Sequence, residues 1–325
     1  FGASRTMRIA QKLYEGINIG SETTGLITYM RTDGVQLSSE AIQELRNEIT
    51  NRHGKSFIPE KPRVYKSKAA NAQEAHEAIR PTQIQHDPES ISDYLDAEQF
   101  KLYDLIWKRT ISSQMQSAEL DETSATISND DTSILFRANG SQVFFPGFFV
   151  YRDREDDKIL PILNEKEKLD LKKVDSEQHF TQPPPRYTDA SLVKKMEELG
   201  IGRPSTYASI LQVLINRNYV EKEKGKHIPQ ERGRILTAFL NNFFGKYIQY
   251  DFTADLEKKL DNVSDGKLSY KSLLKEFWDG FKPHLDKMSE LERDKILEAL
   301  ESELTELFFP NDTSDDNSQP NRKCP

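Results

Sequence analysis

The sequence predicts a multidomain α+β protein in which helical domains flank a β-rich segment. The chain has 325 residues, and at roughly 100–200 residues per domain this length corresponds to two or three domains. Apolar residues follow helical spacing up to about residue 115, strand-like spacing from Glu119, and helical spacing again after Pro183-Pro184-Pro185. This change of period around a stiff proline boundary indicates separate helical and β modules.

Residues 1–115 are predicted to form a helix–strand–helix module. Apolar spacing predicts a helix from Ser4 to Tyr14, and a short strand follows at Leu26–Met30. Ser38 opens a second helix, and a third covers about Asp96 to Met115.

Residues 116–185 are predicted to form long β-strands, because β-branched and aromatic residues are concentrated there. Gly140 and Pro146-Gly147 punctuate these strands. The strand-like runs are 123–127, 133–138, 141–150 and 169–174.

The sequence of residues 186–290 predicts the helix–turn–helix–wing arrangement of a DNA-binding domain. An ordinary helical domain fits the same pattern. Residues 291–325 are predicted to form an acidic helix followed by a flexible tail. In order, the elements predicted for residues 186–290 are a helix capped by Asp189, a glycine break at 200–202, a helix from Arg203, a wing of two strands at 219–223 and 226–229, and a helix from about Glu231.

The charge distribution leaves a nucleic-acid partner open, although the net charge of −8 alone argues against one. Residues 186–285 hold 17 basic and 13 acidic side chains, a local net charge of +4. Phosphate binding depends on the local field rather than on the sum. A solvated surface of mixed charge explains the same counts.

The composition favours a cytoplasmic protein. No apolar run approaches the ~18 residues of a membrane-spanning helix, and no signal peptide opens the chain. The single cysteine, Cys324, excludes an internal disulfide framework and a multi-cysteine metal site within this chain. The chain opens at Phe1 without a methionine and ends at Pro325, so we expect it to be a piece of a larger protein.

Tyr29 and Arg31 form the first candidate site, because alternate side chains on a strand share a face. A phenol has a pKa near ~10 and is a poor nucleophile until it is ionised. A fixed guanidinium favours the phenolate and clasps the phosphate that it attacks. The pair suits phosphoryl transfer onto tyrosine. One of twelve ordinary tyrosines beside a surface arginine explains the same residues taken alone.

His76 and Arg80 form the second candidate site, because residues four apart share one face of a helix. Pro81 disfavours helical backbone at Arg80, so the helix should end there. An imidazole and a permanent cation at a helix end suit phosphate binding or proton movement. A surface helix with a lone histidine is the structural alternative.

The third candidate site is the glycine turn 200–202 with Arg203, Thr206 and Tyr207. A glycine turn that feeds a helix N-terminus leaves backbone N–H groups to bind an anion. Arg203 and Thr206 add donors for a phosphate, Tyr207 is placed to stack on a base, and Arg217 adds another cation. Helix capping with a core tyrosine is the structural alternative.

Taken in order, three motifs resemble the type IA family of bacterial DNA topoisomerases. The likeness extends to about residue 290. The motifs are Gly25-Leu-Ile-Thr-Tyr-Met-Arg-Thr-Asp33, Gln73-Glu-Ala-His-Glu-Ala-Ile-Arg-Pro-Thr82 and Glu198-Leu-Gly-Ile-Gly-Arg-Pro-Ser-Thr-Tyr-Ala208.

The resemblance implies a catalytic mechanism for the first two motifs. Tyr29 would attack a DNA phosphate, form a 5′-phosphotyrosyl link and free a 3′-hydroxyl. Strand passage and resealing would then relax negative supercoils without ATP. Arg31 would stabilise the scissile phosphate, and His76 would contact DNA near it with the support of Glu77 and Arg80.

The resemblance also implies a DNA-binding surface in the later part of the chain. Arg203, Thr206 and Arg217 would hold single-stranded DNA that leads into the site. Asn218 stands where relatives often have glycine, which leaves a backbone DNA contact there in question.

The resemblance further implies a portion of the family's toroid, in which winged-helix-like helical domains flank a β arch. Residues 1–115 would be the catalytic-tyrosine domain, 116–185 part of the arch, 186–290 the DNA-binding domain, and 291–325 an acidic helix and tail. Magnesium would bind through a Toprim domain outside this chain, and zinc only in a C-terminal region outside it. The protein would be a monomer that prefers single-stranded DNA and has no membrane partner, and this piece would be inactive alone.

Two other functions fit part of the pattern. A tyrosine recombinase also pairs a nucleophilic tyrosine with arginine and histidine, but its tyrosine comes late in the domain, whereas Tyr29 precedes His76. A non-catalytic winged-helix module would use residues 186–290 to bind single-stranded or duplex DNA.

Overall fold

The computed structural model describes residues 1–20, 22–31, 34–66, 76–130, 132–154 and 156–308. These residues form two compact units. The first extends to Pro185 and the second begins at Arg186, except that residues 2–4 group with the second unit. The finer domain boundaries expected at residues 115 and 290 stay predictions.

The first unit has a helical core and, among its described residues, two antiparallel sheets of two strands each. Its described elements are α1 (Ala3–Glu15), β1 (Ile17–Asn18), β2 (Thr23–Thr24), α2 (Ser39–His53), α3 (Ala97–Ser113), β3 (Glu119–Ser128) and β4 (Leu135–Phe145), with 3₁₀ turns at Lys55–Phe57, Ser92–Tyr94 and Gly147–Tyr151.

The three predicted helices of this unit are confirmed, and their caps explain where they begin. The Ser38 side chain accepts from the Ala41 N–H at the start of α2. Asp96 and Gln99 form a capping box at the start of α3. Each cap satisfies backbone donors that a helix N-terminus leaves unpaired.

The core of the first unit lies between these helices and the loop that contains Leu26 and Ile27. Trp107 and Tyr103 of α3 are buried, and the Trp107 indole N–H donates to the Ile84 carbonyl at 2.8 Å. Burial of each large side chain stabilises the fold by roughly 1.5–3 kcal/mol. The core therefore fixes the loop that precedes Tyr29.

The strand predicted at Leu26–Met30 is wrong. Only Ile27 makes a β-bridge there, with Pro81. Leu26 and Ile27 are both buried, at 0% and 1% exposure, so the alternation of a half-buried strand is absent. The segment is a loop pressed against the core.

β3 and β4 form a long antiparallel hairpin that confirms the predicted change to β structure. The runs predicted separately at 133–138 and 141–150 form one strand, β4, because Gly140 pairs with Thr123 instead of breaking it. β4 ends at Phe145, where Pro146 and Gly147 lead into a 3₁₀ turn. The strand predicted at 169–174 is wrong. Its apolar residues Leu169, Leu171 and Val174 are exposed, and no described strand pairs with it.

The second unit is helical with one small hairpin. Its described elements are α4 (Asp189–Leu199), α5 (Tyr207–Asn216), β5 (Val220–Glu223), β6 (Lys226–Pro229), α6 (Glu231–Ile248), α7 (Tyr250–Ser264), α8 (Tyr270–Ser289) and α9 (Arg293–Phe308).

The predicted order of helix, turn, helix and wing is confirmed in the second unit, with two corrections at helix starts. Thr188 rather than Asp189 caps α4, since its hydroxyl accepts from the Ser191 N–H. α5 begins at Tyr207 rather than at Arg203, after a tight turn. Gly200 ends α4 in the left-handed conformation, at φ 69°, which glycine adopts without steric cost.

An aromatic cluster joins α6, α7 and α8. The Tyr247 ring lies edge-on to Phe252 and Phe281, with centroids 5.2 and 5.0 Å apart. Among the described helices, none is long and apolar enough to cross a membrane. Of the acidic helix and tail predicted at 291–325, residues 309–325, with Cys324, lie outside the described part of the chain.

Candidate active site

The loop that carries Tyr29 is held by backbone hydrogen bonds to two distant segments. The Leu26 N–H donates to the Leu13 carbonyl at 2.7 Å, and the Leu26 carbonyl accepts from the Thr82 N–H at 3.0 Å. The Thr28 N–H donates to the Arg80 carbonyl at 2.9 Å. The loop therefore has a defined position although it is not a strand.

The side chain of Thr28 also joins the loop to the second of these segments. Its hydroxyl donates to the Ala78 carbonyl at 2.7 Å and accepts from the Arg80 N–H at 3.0 Å. Gly25 allows the close approach, because a Cβ there would lie 2.5 Å from the Tyr14 carbonyl oxygen. Sequence reasoning missed both roles, because neither the partners of Thr28 nor the neighbour of Gly25 follows from local spacing.

The Tyr29 ring is half-buried between two aromatic side chains. The Tyr14 ring meets it edge-on, with centroids 5.4 Å apart, and the His76 ring lies 5.3 Å away, tilted by 33°. The structure therefore brings together two of the three predicted catalytic residues, Tyr29 and His76. Within the described residues, the Tyr29 hydroxyl has no hydrogen-bond partner.

Arg31 follows the buried Met30 and is itself exposed. Among the described residues, it forms no ion pair. A guanidinium carries five N–H donors, which suit it to the recognition of an anion. Thr32 and Asp33, the last two residues of this motif, lie outside the described part of the chain.

The helix predicted through His76 and Arg80 is wrong. Residues 76–80 form bends, because their backbone groups bond to other loops instead of to one another. The Ala78 N–H, for example, donates to the Gln36 carbonyl at 2.9 Å. Gln73, Glu74 and Ala75 of this motif lie outside the described residues.

Arg80 and Glu77 form a bidentate ion pair beneath the loop. Arg80 Nε donates to Glu77 Oε1 at 2.9 Å, and Nη2 donates to Oε2 at 3.0 Å. Glu77 Oε1 also accepts from the Ser38 N–H at 2.7 Å, which connects the pair to the start of α2. The Arg80 side chain is only 15% exposed, so it organises the loop, and its predicted DNA contact stays a prediction.

The electrostatics of this pair favour the ionised carboxylate. Burial acts to raise the pKa of the Glu77 carboxyl, but the hydrogen bonds and charge of Arg80 and the bond from Ser38 outweigh it. The pKa of Glu77 is therefore lowered from its ordinary value.

Arg203 and Thr206 lie in the turn before α5 and bond within the second unit. Arg203 Nη2 donates to both Asp261 oxygens at 2.8 and 2.9 Å, and Nη1 lies 3.0 Å from Glu257 Oε2. The Thr206 hydroxyl accepts from the Arg203 N–H at 3.0 Å. These bonds give both residues a structural role, and their contact with DNA stays a prediction.

Tyr207, Arg217 and Asn218 bracket α5. The Tyr207 ring packs against Gly202, where a Cβ would lie 3.2 Å from Cε1. Arg217 ends the helix, is exposed, and has no ion pair among the described residues. Asn218 has a φ of 55°, the left-handed region that glycine adopts most easily and asparagine tolerates. Its backbone therefore takes a conformation that a glycine would adopt without strain.

The described residues do not form a metal site of their own. No group of three or more histidine, cysteine, aspartate or glutamate side chains converges within them.

The chain matches a known family over most of its length. Residues 1–275 match the sequence model of a family described as DNA topoisomerase. The chain is 51% identical to DNA topoisomerase 1 of Rickettsia felis, over 97% of this chain and 42% of that protein. It is 46% identical to DNA topoisomerase 1 of Zymomonas mobilis, over 100% of this chain and 26% of that protein. The chain thus spans less than half the length of these relatives.

A solved structure shows the same architecture. Full-length topoisomerase I from Thermotoga maritima matches with a TM-score of 0.75 and 37% identity, over 87% of this chain and 46% of that chain. This likeness confirms the predicted multidomain α+β fold.

Replacing Glu77 by Gln should destabilise the first unit at pH 7 by about 1–3 kcal/mol, since a charged partner of Arg80 is removed. A carboxyl group whose pKa is lowered by folding stabilises the fold at any pH above its ordinary, unfolded-state pKa. That stabilisation is lost as the pH falls through the lowered pKa of the folded state. Wild-type protein should therefore lose stability between about pH 5 and pH 3 that Glu77→Gln does not lose.

Urea unfolding at several pH values measures both effects. Glu44→Gln, on the exposed face of α2 without an ion pair among the described residues, is the matched control. Equal stability and equal pH dependence in wild type and Glu77→Gln would contradict the assigned role of this ion pair.

Proposed function

This chain belongs to the type IA DNA topoisomerase family, and from that membership we propose that its Tyr29 cleaves one strand of DNA and forms a 5′-phosphotyrosine. A strand passes through the gap before the break is resealed, which relaxes negative supercoils without ATP. The observation that carries the proposal is the position of Tyr29, on a fixed loop with its ring against His76 and its hydroxyl unbonded within the described residues.

The proposed reaction exchanges one phosphoester for another. The Tyr29 oxygen attacks the phosphorus, a phosphorus–oxygen bond to tyrosine forms, and the bond to the 3′ oxygen breaks. The phenol loses a proton and the departing 3′ oxygen gains one, so the step is balanced. Resealing runs the same step in reverse, and the covalent link conserves the bond energy.

Arg31 is proposed to bind the reacting phosphate, and His76 is proposed to contact the DNA near it. An exposed guanidinium two residues from the nucleophile suits the planar, bidentate recognition of a phosphate. Negative charge grows on the phosphate oxygens in the transition state, where a fixed cation stabilises it most. The His76 imidazole lies beside the Tyr29 ring, which supports a contact with the same strand.

The second unit is proposed to hold single-stranded DNA through Arg217 and the backbone near Asn218, with Arg203, Thr206 and Tyr207 shaping that surface. Binding should be tighter to single strands than to duplex and should weaken steeply with salt. The protein is proposed to act as a monomer in the cytoplasm.

Magnesium is proposed to serve the complete protein through residues outside this chain. When bound, it would help to neutralise the charge of the DNA phosphates. We also propose that this chain alone does not relax supercoiled DNA, and that zinc binds only outside it.

The two alternatives are less well supported. A tyrosine recombinase would join the DNA through its 3′ phosphate. A non-catalytic winged-helix protein would bind DNA with no covalent product. The family match over residues 1–275 includes the motif of Tyr29 as well as the winged-helix elements, which favours the enzyme.

Replacing Tyr29 by Phe should abolish covalent protein–DNA complexes, because the attacking oxygen is removed while the ring remains. The complete protein, incubated with single-stranded DNA and Mg²⁺ and then denatured, is resolved on a gel. Tyr14→Phe, the matched control, removes the hydroxyl of the neighbouring ring and should still form covalent complexes. Complexes that persist in Tyr29→Phe would identify another nucleophile.

Replacing Arg31 by Gln should slow single-turnover cleavage by about 10²–10³-fold, as expected for one transition-state donor. Arg31→Lys should be impaired less, because it keeps the charge but not the forked donors. Arg8→Gln, an exposed arginine of α1, is the control that removes the same charge. A wild-type rate in Arg31→Gln would remove this residue from the mechanism.

A further inference from the structure

A cleft of about 590 Å³ opens in the first unit beside the C-terminal turns of α3. Its walls include Arg109 and Ser113 of α3, Arg63 and Tyr65 from the segment after α2, and Arg152 after β4. The volume falls within the roughly 300–1,000 Å³ that is usual for ligand clefts. Sequence reasoning did not single out any of these residues.

Positive charge dominates this cleft. Three arginines line it, Arg63, Arg109 and Arg152, and no carboxylate is among its described lining residues. Within the described part of the chain, none of the three forms an ion pair. A concave surface lined by charges of one sign focuses the field and concentrates a counter-ion.

Part of the cleft is rigidly built. Arg63 Nε donates to the Met115 carbonyl at 2.9 Å, and Nη2 donates to the Ser117 hydroxyl at 2.8 Å. The Tyr65 hydroxyl donates to the Ser113 carbonyl at 2.8 Å, while the residue remains 45% exposed. One guanidinium and one aromatic ring are thus held in place, whereas Arg109 and Arg152 are exposed at the surface.

The cleft adjoins the loop of Tyr29 without including the nucleophile. Ala78 lines it, and the Ala78 carbonyl accepts the hydrogen bond that fixes Thr28. Neither Tyr29 nor His76 is among its lining residues. An anion in the cleft is therefore separate from the phosphate that reacts.

We propose that this cleft binds the phosphodiester backbone of a single-stranded DNA segment, in addition to the phosphate that reacts. Arginines suit phosphate oxygens because their forked donors match them, and the held Tyr65 ring offers a face for a base. The inference rests on the proposed function, since it takes DNA as the substrate.

Substitution of the two exposed arginines tests the inference. Arg109→Gln/Arg152→Gln removes two charges, while Arg63 is left intact because it bonds the Met115 carbonyl. The matched control is Arg8→Gln/Arg137→Gln, two exposed arginines of the same unit outside the cleft. The complete protein is titrated with a short fluorescent single-stranded oligonucleotide across a salt series, and circular dichroism confirms that each variant is folded.

The cleft variant should bind on the order of tenfold more weakly at low salt. Its slope of log affinity against log salt should be smaller by about 0.7 for each phosphate that an arginine no longer neutralises, and the control should change much less. Equal effects in cleft variant and control would overturn the inference, as would an unchanged slope. Inorganic pyrophosphate that competes with DNA in wild type but not in the cleft variant would support it.

Covalent-complex formation separates this inference from the proposed function. At saturating DNA the cleft variant should still form the Tyr29 adduct, because the cleft excludes the nucleophile. If wild type forms the adduct but the salt dependence of the cleft variant is unchanged, the inference about the cleft is refuted and the proposed function is not. Absence of any adduct in wild type would refute the proposed function instead.

Discussion

The placement of Tyr29 depends on hydrogen bonds that join its loop to residues 78–82. Thr28 bonds Arg80 through its backbone and its hydroxyl, and Leu26 bonds Thr82. Each such bond stabilises the fold by only about 1 kcal/mol, but together they act on a loop whose first residues are anchored in the core. The loop is therefore held without the regular pairing of a sheet.

That arrangement links the candidate site to the body of the first unit. Glu77 joins Arg80 to the start of α2 through Ser38. A nucleophile must be held close to its productive geometry before the substrate arrives, and a shell of fixed neighbours provides this. Arg31, Arg109 and Arg152 differ from Arg80, because they are exposed and form no ion pair among the described residues.

Much of the fold was predictable where the order is local. Helices α1, α2 and α3 and the wing of β5 and β6 follow from periodicity, caps and turn residues. The errors fall where distant segments override local preference. Leu26–Met30 has the composition of a strand but presses two successive side chains into the core. Residues 76–80 have helical spacing but give their backbone bonds to other loops. The motifs identified Tyr29, Arg31 and His76 as a candidate site, whereas Thr28 and the arginine cleft required the tertiary structure.

The linkage between protein and DNA is the most direct test of the central claim. Complete protein is trapped with end-labelled single-stranded DNA, digested with protease, and the cross-linked peptide is sequenced by mass spectrometry. The predicted result is a nucleotide joined through its 5′ phosphate to the peptide that contains Tyr29, with a free 3′-hydroxyl on the other fragment. Attachment through a 3′ phosphate, or to any other residue, would contradict it.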